Sequence, residues 1–215
     1  MRGATGGNIA GMSAADRLVD ELRVAIADER VLDAVASVPR ERFVPPELHG
    51  RAWENIALPI GSGQTISQPL VVARMTELLR LRPAARVLDI GTGSGYHAAV
   101  LARLAAHVWT IERLPELSAR AAECLRDAGA ANVTVLVGDG SRGLPDAAPF
   151  DAINVAAAAW PEVPPALERQ LAPGGRLVAP VGGRGQRLVL VERDSDGELS
   201  RTVLDPVRFV PLIEG

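Results

Sequence analysis

The sequence predicts an α/β protein built on a largely parallel sheet, and three observations carry that prediction. Residues 86–90 (R-V-L-D-I) are a short aliphatic run that passes straight into Gly91-Thr92-Gly93-Ser94-Gly95. A helical pattern through Val100, Leu101 and Leu104 follows, so strand, glycine turn and helix stand in the order of a Rossmann-like corner. Beyond it, apolar runs alternate with amphipathic stretches to near the end of the chain. With right-handed crossovers, the strands before Gly91, Glu112 and Asp139 all end at one edge of the sheet. In open α/β folds that edge carries the site.

The elements follow in order. Residues 1–11 are rich in glycine and lack periodicity, and are expected to be disordered. Leu18, Val19, Leu22 and Ile26 mark a first helix; Val31, Leu32, Val35 and Ala36 mark a second that stops before Pro39. The stretch 52–69 (A-W-E-N-I-A-L-P-I-G-S-G-Q-T-I-S-Q-P) holds too many Gly, Pro and hydroxyl residues for a strand or helix, so a loop is expected. Val71, Val72, Met75, Leu78 and Leu79 form the apolar face of the next helix. Ser67, two residues before its Pro69, reads equally well as an N-cap or as a ligand contact. After the glycine corner come a strand at 107–111, a helix at 114–128 closed by Gly129, and a strand at 133–137. Strands at 151–156, 176–180 and 187–192, a helix at 163–171 and an extended run at 203–212 complete the pattern.

Two cofactor classes compete for the corner. Gly93-Ser-Gly95-Tyr-His-Ala98 satisfies the G-x-G-x-x-A of dinucleotide enzymes. Asp89, however, is an acid at the loop mouth with no basic residue to offset it, which suits the cationic groups of S-adenosylmethionine better than a pyrophosphate. Glu112, twenty-one residues after Gly91, stands where such folds bind a ribose diol, against the bland reading of a solvated strand end. Asp139 in Gly138-Asp139-Gly140 reads as an adenine-side contact or as a simple Asp-Gly turn.

Composition narrows the class. A net charge of -3 without a long basic run argues against a nucleic-acid-coating surface. No apolar run of membrane-spanning length and no leader pattern appear, so a cytoplasmic protein is expected. Cys124 is the only cysteine and falls at helical spacing, which predicts buried packing and excludes an intramolecular disulfide. His49, His97 and His107 lack ligand spacing, so no metal site is expected.

The blocks V-P-R-E-R-F-V-P (38–45), the 52–69 stretch, V-L-D-I-G-T-G-S-G-Y (87–96), G-D-G (138–140) and V-R-F-V-P-L (207–212) together resemble the protein-L-isoaspartate O-methyltransferase family over most of the chain. The resemblance implies a Rossmann-like, seven-stranded methyltransferase sheet with an N-terminal helical cap and a C-terminal arm. The expected organisation is a leader at 1–12 and one domain at 13–215. Within it, the cap and substrate segment span 13–82 and the core and arm 83–215. The resemblance implies S-adenosylmethionine as donor and the α-carboxylate of L-isoaspartyl residues in damaged proteins as acceptor, with a monomer expected. Gln64, Thr65, Ile66 and Ser67 correspond to the segment between cofactor and acceptor, with Thr65 and Ser67 as catalytic residues and Gly63 beside them. Asp89, Gly91, Gly93, Gly95, Glu112, Asp139 and Gly140 correspond to the cofactor side, and Arg208 to Pro211, Val210 included, to the arm that holds the substrate peptide.

Some positions depart from the family pattern. His97 stands where many bacterial members have glutamine, Ala156 replaces a common threonine, and Asn154 puts an amide inside a strand that should be buried. The run Ala157 to Pro161, with Trp160, is about a residue longer than usual. These departures keep alive a relative that methylates ordinary aspartate in a ribosomally made peptide. Nucleic-acid or small-molecule methylation is disfavoured by the acidic balance and by the lack of an Asn/Asp-Pro-Pro-Tyr/Phe motif after the fourth strand. A non-catalytic binding module would require a degraded glycine corner or 64–67 segment, and both are intact.

Overall fold

The computed structural model describes residues 11–215. Most of the expected disordered leader therefore lies outside the described residues. The chain opens with α1 (Ala14–Leu22), whose Ser13 and Asp16 form a reciprocal capping box, and α2 (Glu29–Ser37), capped by Asp28. Ile26, expected on the first helix, lies beyond its end but is still buried in the core. Two short 3-10 turns, Arg40–Phe43 and Pro46–Arg51, lead to β1 (Leu58–Gly61), β2 (Gln64–Ile66) and α3 (Pro69–Leu79).

The expectation of a loop here needs correction, because β1 and β2 form an antiparallel hairpin. Gly61 pairs with Gln64 across Ser62 and Gly63, whose φ values of 50° and 69° are those of a primed two-residue turn. Such turns match strand twist, and glycine enters them without steric cost. Ser67 is not the helix cap: Gln68 takes that position and no side chain caps α3.

The core alternates β3 (Arg86–Ile90), α4 (Tyr96–Ala102), β4 (His107–Glu112), α5 (Pro115–Asp127), β5 (Val133–Val137), β6 (Phe150–Val155), α6 (Pro165–Arg169), β7 (Leu171–Val181), β8 (Gln186–Arg193) and β9 (Leu199–Val207). One seven-stranded sheet results, in the order β5-β4-β3-β6-β7-β8-β9. Its first five strands are parallel, and β8 runs antiparallel to both neighbours. The chain steps outward from β3 to β5 and then returns to β6 on β3's other side. That reversal opens a crevice beyond the carboxyl end of β3.

Residues of β3 alternate between two cores. Val87 joins the cluster under the N-terminal helices, while Leu88 and Ile90 join the cluster on the opposite face. Asp89 therefore faces the same layer as Val87.

Several boundaries move. The helix expected at 163–171 is only α6, and β7 starts at Leu171 rather than near 176. The last extended run begins earlier, at Leu199, and leaves the sheet after Val207. There the Gln186 amide catches the Phe209 backbone at both N–H and C=O, 2.6 and 3.0 Å, and turns the arm back toward the crevice. Cys124 is half-buried rather than a core residue.

Candidate active site

A cavity of about 370 Å³ fills the crevice. Its floor is the turn after β3. Gly91 and Gly93 hold φ values of 87° and 54°, and leave backbone exposed where a side chain would block a ligand. Gly140 closes one wall; a Cβ there would stand 2.4 Å from Ile90 Cγ2. Gly63, Gln64, Thr65, Ile66 and Ser67 line the same cavity, so the hairpin's second strand and the glycine turn meet at one site. Val210 of the arm completes the rim.

Glu112 lies on the floor, 6% exposed. Its Oε2 accepts the Gly93 N–H at 2.9 Å and its Oε1 the Leu114 N–H at 3.1 Å. The carboxylate thus shapes the turn, and each oxygen keeps a second lone pair.

Four expected site residues are elsewhere. Gly95 does not line the cavity: it is the N-cap of α4 at a φ of 90°, where a Cβ would crowd Leu125 and Ala121. Asp139 turns away, its Oδ1 accepting the Ser141 N–H and hydroxyl at 2.9 and 2.6 Å. Arg208 is exposed outside the rim. Part of the arm's backbone is also occupied by the protein itself, for Val210 C=O accepts the Ala158 N–H at 2.7 Å.

Asp89 is the fourth. It is fully buried beneath the turn rather than at the loop mouth. Strand register sets it between Thr110 on β4 and Asn154 on β6, making a polar row across three parallel strands. Its Oδ2 accepts from Thr110 Oγ1 and its Oδ1 from Asn154 Nδ2, both at 2.7 Å. The directions of the whole network follow. Thr110 has one hydroxyl proton and gives it to Asp89, so Thr92 donates to Thr110 across 2.7 Å. Asn154 Nδ2 donates its other proton to His97 Nδ1 at 3.1 Å, so His97 carries its proton on Nε2 and donates to Thr76 Oγ1 at 3.1 Å. An inverted Asn154 amide would set its oxygen against the Asp89 carboxylate. Asn154 Oδ1 is buried without a partner.

Burial pushes Asp89 up to about 6, against the opposing hydrogen bonds from Asn154 and Thr110. Burial likewise pushes His97 down to about 3, which agrees with the neutral ring that the bond directions require. Thr92 and His97 both line the cavity, so this network supports part of its wall. In the sequence His97 and Asn154 stand out only as departures from the family pattern, and Thr92, Thr110 and Thr76 do not stand out at all. Thr76 on α3, Thr92 in the turn and Thr110 on β4 are far apart in sequence, and nothing in residue type marks them as partners until the fold brings them together.

The network yields a pH prediction. His97 is held below its ordinary value of 6.5, so its contribution to stability is present above about 6.5 and is lost as pH falls toward 3. Asp89, held above 3.8, changes in the opposite sense over the same range. Relative to wild type, His97→Gln should therefore gain about 2 kcal/mol of stability between pH 7 and pH 5. Chemical denaturation at both pH values measures the difference; parallel pH profiles would contradict a buried neutral histidine.

The sheet order, the glycine turn at the reversal and Glu112 beside it define the class as an α/β methyltransferase of Rossmann-like architecture. The family model described as Protein-L-isoaspartate(D-aspartate) O-methyltransferase matches residues 13–215, and the chain belongs to that family. A protein-L-isoaspartate O-methyltransferase from Aeromonas hydrophila is 55% identical over 200 residues, 93% of this chain and 97% of the relative. One from Anaeromyxobacter dehalogenans is 58% identical over 193 residues, 88% and 91% of the two chains. Among solved structures, a protein-L-isoaspartate O-methyltransferase superposes with a TM-score of 0.83 at 29% identity, covering 94% of this chain and 66% of that one. A Plasmodium falciparum structure assigned to the same enzyme, solved with S-adenosyl-L-homocysteine, gives 0.80 at 26% identity, covering 93% and 98%. Among the described residues, no helix is long and apolar enough to cross a membrane.

Proposed function

We propose that the protein methylates the α-carboxylate of L-isoaspartyl residues in damaged proteins, starting their repair through a succinimide. The observation that carries this reading is that the Gln64–Ser67 segment and the glycine turn line one cavity. The cavity fits the donor: it has bare backbone at Gly91 and Gly93 and a carboxylate at Glu112, and a related structure holds S-adenosyl-L-homocysteine. S-adenosylmethionine, when bound, supplies a sulfonium-activated methyl group and leaves as the thioether S-adenosylhomocysteine.

The chain's own residues have limited chemistry to do. The acceptor α-carboxylate, with an ordinary pKa of about 3.5, is already an anion at neutral pH, so no general base is required. Thr65 and Ser67 hydroxyls orient the carboxylate, and neutral donors leave its outward oxygen nucleophilic. Glu112 holds the glycine turn and accepts from the ribose hydroxyls. Ile66, Ile90 and Ile111 line the cavity and keep water out, which helps a step that joins opposite charges. The new ester bond forms as the carbon–sulfur bond breaks, and no proton moves.

Ordinary aspartate as acceptor is not favoured. The relatives carry the isoaspartate name, and Asn154, one of the departures that raised the alternative, is buried inside the Asp89–His97 network. We further infer a cytoplasmic protein acting without nucleic acid, a reading supported by the net charge of -3 and the lone cysteine. Prolonged incubation of an isoaspartyl peptide with protein and S-adenosylmethionine should build up the aspartyl isomer, resolved chromatographically. An isoaspartyl content that stays constant would contradict repair.

A further inference from the structure

Arg40 lies in the V-P-R-E-R-F-V-P block, a motif to which the proposed chemistry assigns no task. It is completely buried. A guanidinium withdrawn from water is expected to pair with a carboxylate. Here, among the described residues, it forms no ion pair and donates instead to backbone carbonyls. Nε donates to Ala52 O at 2.8 Å, and Nη2 to Ser67 O at 2.7 Å and, more weakly, to Ile56 O at 3.4 Å. Its other face stacks on Tyr96, with Cζ 4.5 Å from the ring centroid. Phe43, from the same block, meets that ring edge-on at 5.6 Å.

These partners have a pattern. Ala52 and Ile56 lie where the chain departs toward the hairpin, and Ser67 lies where it returns. Tyr96 is the first residue of α4, directly after the glycine turn, and touches the cavity. One side chain therefore closes the base of the acceptor wall and ties it to the cofactor floor. The planar fork reaches all three carbonyls at once, which a lysine ammonium at the end of a flexible stem cannot do.

We propose that Arg40 is a positioning residue for methyl transfer: by anchoring the Ser67 carbonyl through a guanidinium stacked on the Tyr96 ring, it sets where the Ser67 hydroxyl meets the acceptor carboxylate. This rests on the reading of Ser67 given above. Arg40→Lys keeps the charge and loses the fork. Misplacing the acceptor by about an ångström costs up to about a hundredfold, so kcat/KM for an isoaspartyl peptide should fall by about ten- to a hundredfold. The dissociation constant of S-adenosylhomocysteine should change by less than about threefold, because every Arg40 hydrogen bond goes to the 52–67 segment and Glu112 keeps its own bonds to the glycine turn. Because Arg40 acts through Ser67, the double variant Arg40→Lys/Ser67→Ala should be no slower than Ser67→Ala alone.

The experiment is steady-state kinetics with an isoaspartyl peptide and calorimetric titration of S-adenosylhomocysteine, for wild type, both single variants and the double variant, each well below its melting temperature. Wild-type kinetics in Arg40→Lys would overturn the proposal, as would an equal loss of cofactor affinity or multiplied effects in the double variant. An Arg40→Lys protein that no longer folds even with S-adenosylhomocysteine present makes Arg40 a determinant of the fold, and overturns it too. If wild type itself leaves the isoaspartyl peptide unmethylated, the functional reading fails instead. The two failures are thereby distinct.

Discussion

Glu112→Ala is expected to weaken S-adenosylhomocysteine binding by about a hundredfold, since a hydrogen bond to a charged group contributes about 1.5–3 kcal/mol and each 1.4 kcal/mol is tenfold. The loss has two sources. The Gly93 and Leu114 amides, held at 2.9 and 3.1 Å, lose their acceptor and the turn is no longer held open. The acceptor proposed for the ribose hydroxyls goes as well. Glu112→Gln keeps one acceptor oxygen and should lose less, about tenfold. Calorimetric titration of the three proteins checks the order; equal affinities would show that Glu112 shapes the turn without meeting the cofactor.

Ser67→Ala is expected to lower kcat/KM for an isoaspartyl peptide by about ten- to a hundredfold, within the range that transition-state positioning provides. Cofactor affinity and melting temperature should hardly change. Stability is the informative control, because a serine N-cap lost to alanine costs about 1 kcal/mol. Ser67 is not the cap of α3, so that cost should be absent. Unchanged turnover would remove Ser67 from the mechanism, and a loss matched by unfolding would return it to a structural role.

Much of this was legible in the chain because it rests on local signals. The run from Arg86 through Gly95 into Val100 announces a strand, a turn and a helix. Glu112 is found by counting from Gly91. The hairpin is hidden because Gly, Pro and hydroxyl residues at 58–66 read as breakers of regular structure. Ser62-Gly63 between Leu58-Pro59-Ile60 and Gln64-Thr65-Ile66 is itself the turn signal. Asp89 was placed at the loop mouth because a one-dimensional reading cannot tell which face of β3 it occupies. Alternation with Leu88 and Ile90 turns it inward, and only strand register brings Thr110 and Asn154 beside it. Arg40 carried no signal beyond its motif. Its partners lie 12, 16 and 27 residues away and are backbone carbonyls, which leave no trace in residue type.

The most direct test of the central claim is transfer of a labelled methyl group from S-adenosylmethionine to two peptides identical except for one isoaspartyl or one aspartyl residue. Base-labile label on the isoaspartyl peptide alone is the predicted result. Label on the aspartyl peptide, or on neither while S-adenosylhomocysteine still binds, would contradict the assignment of the acceptor.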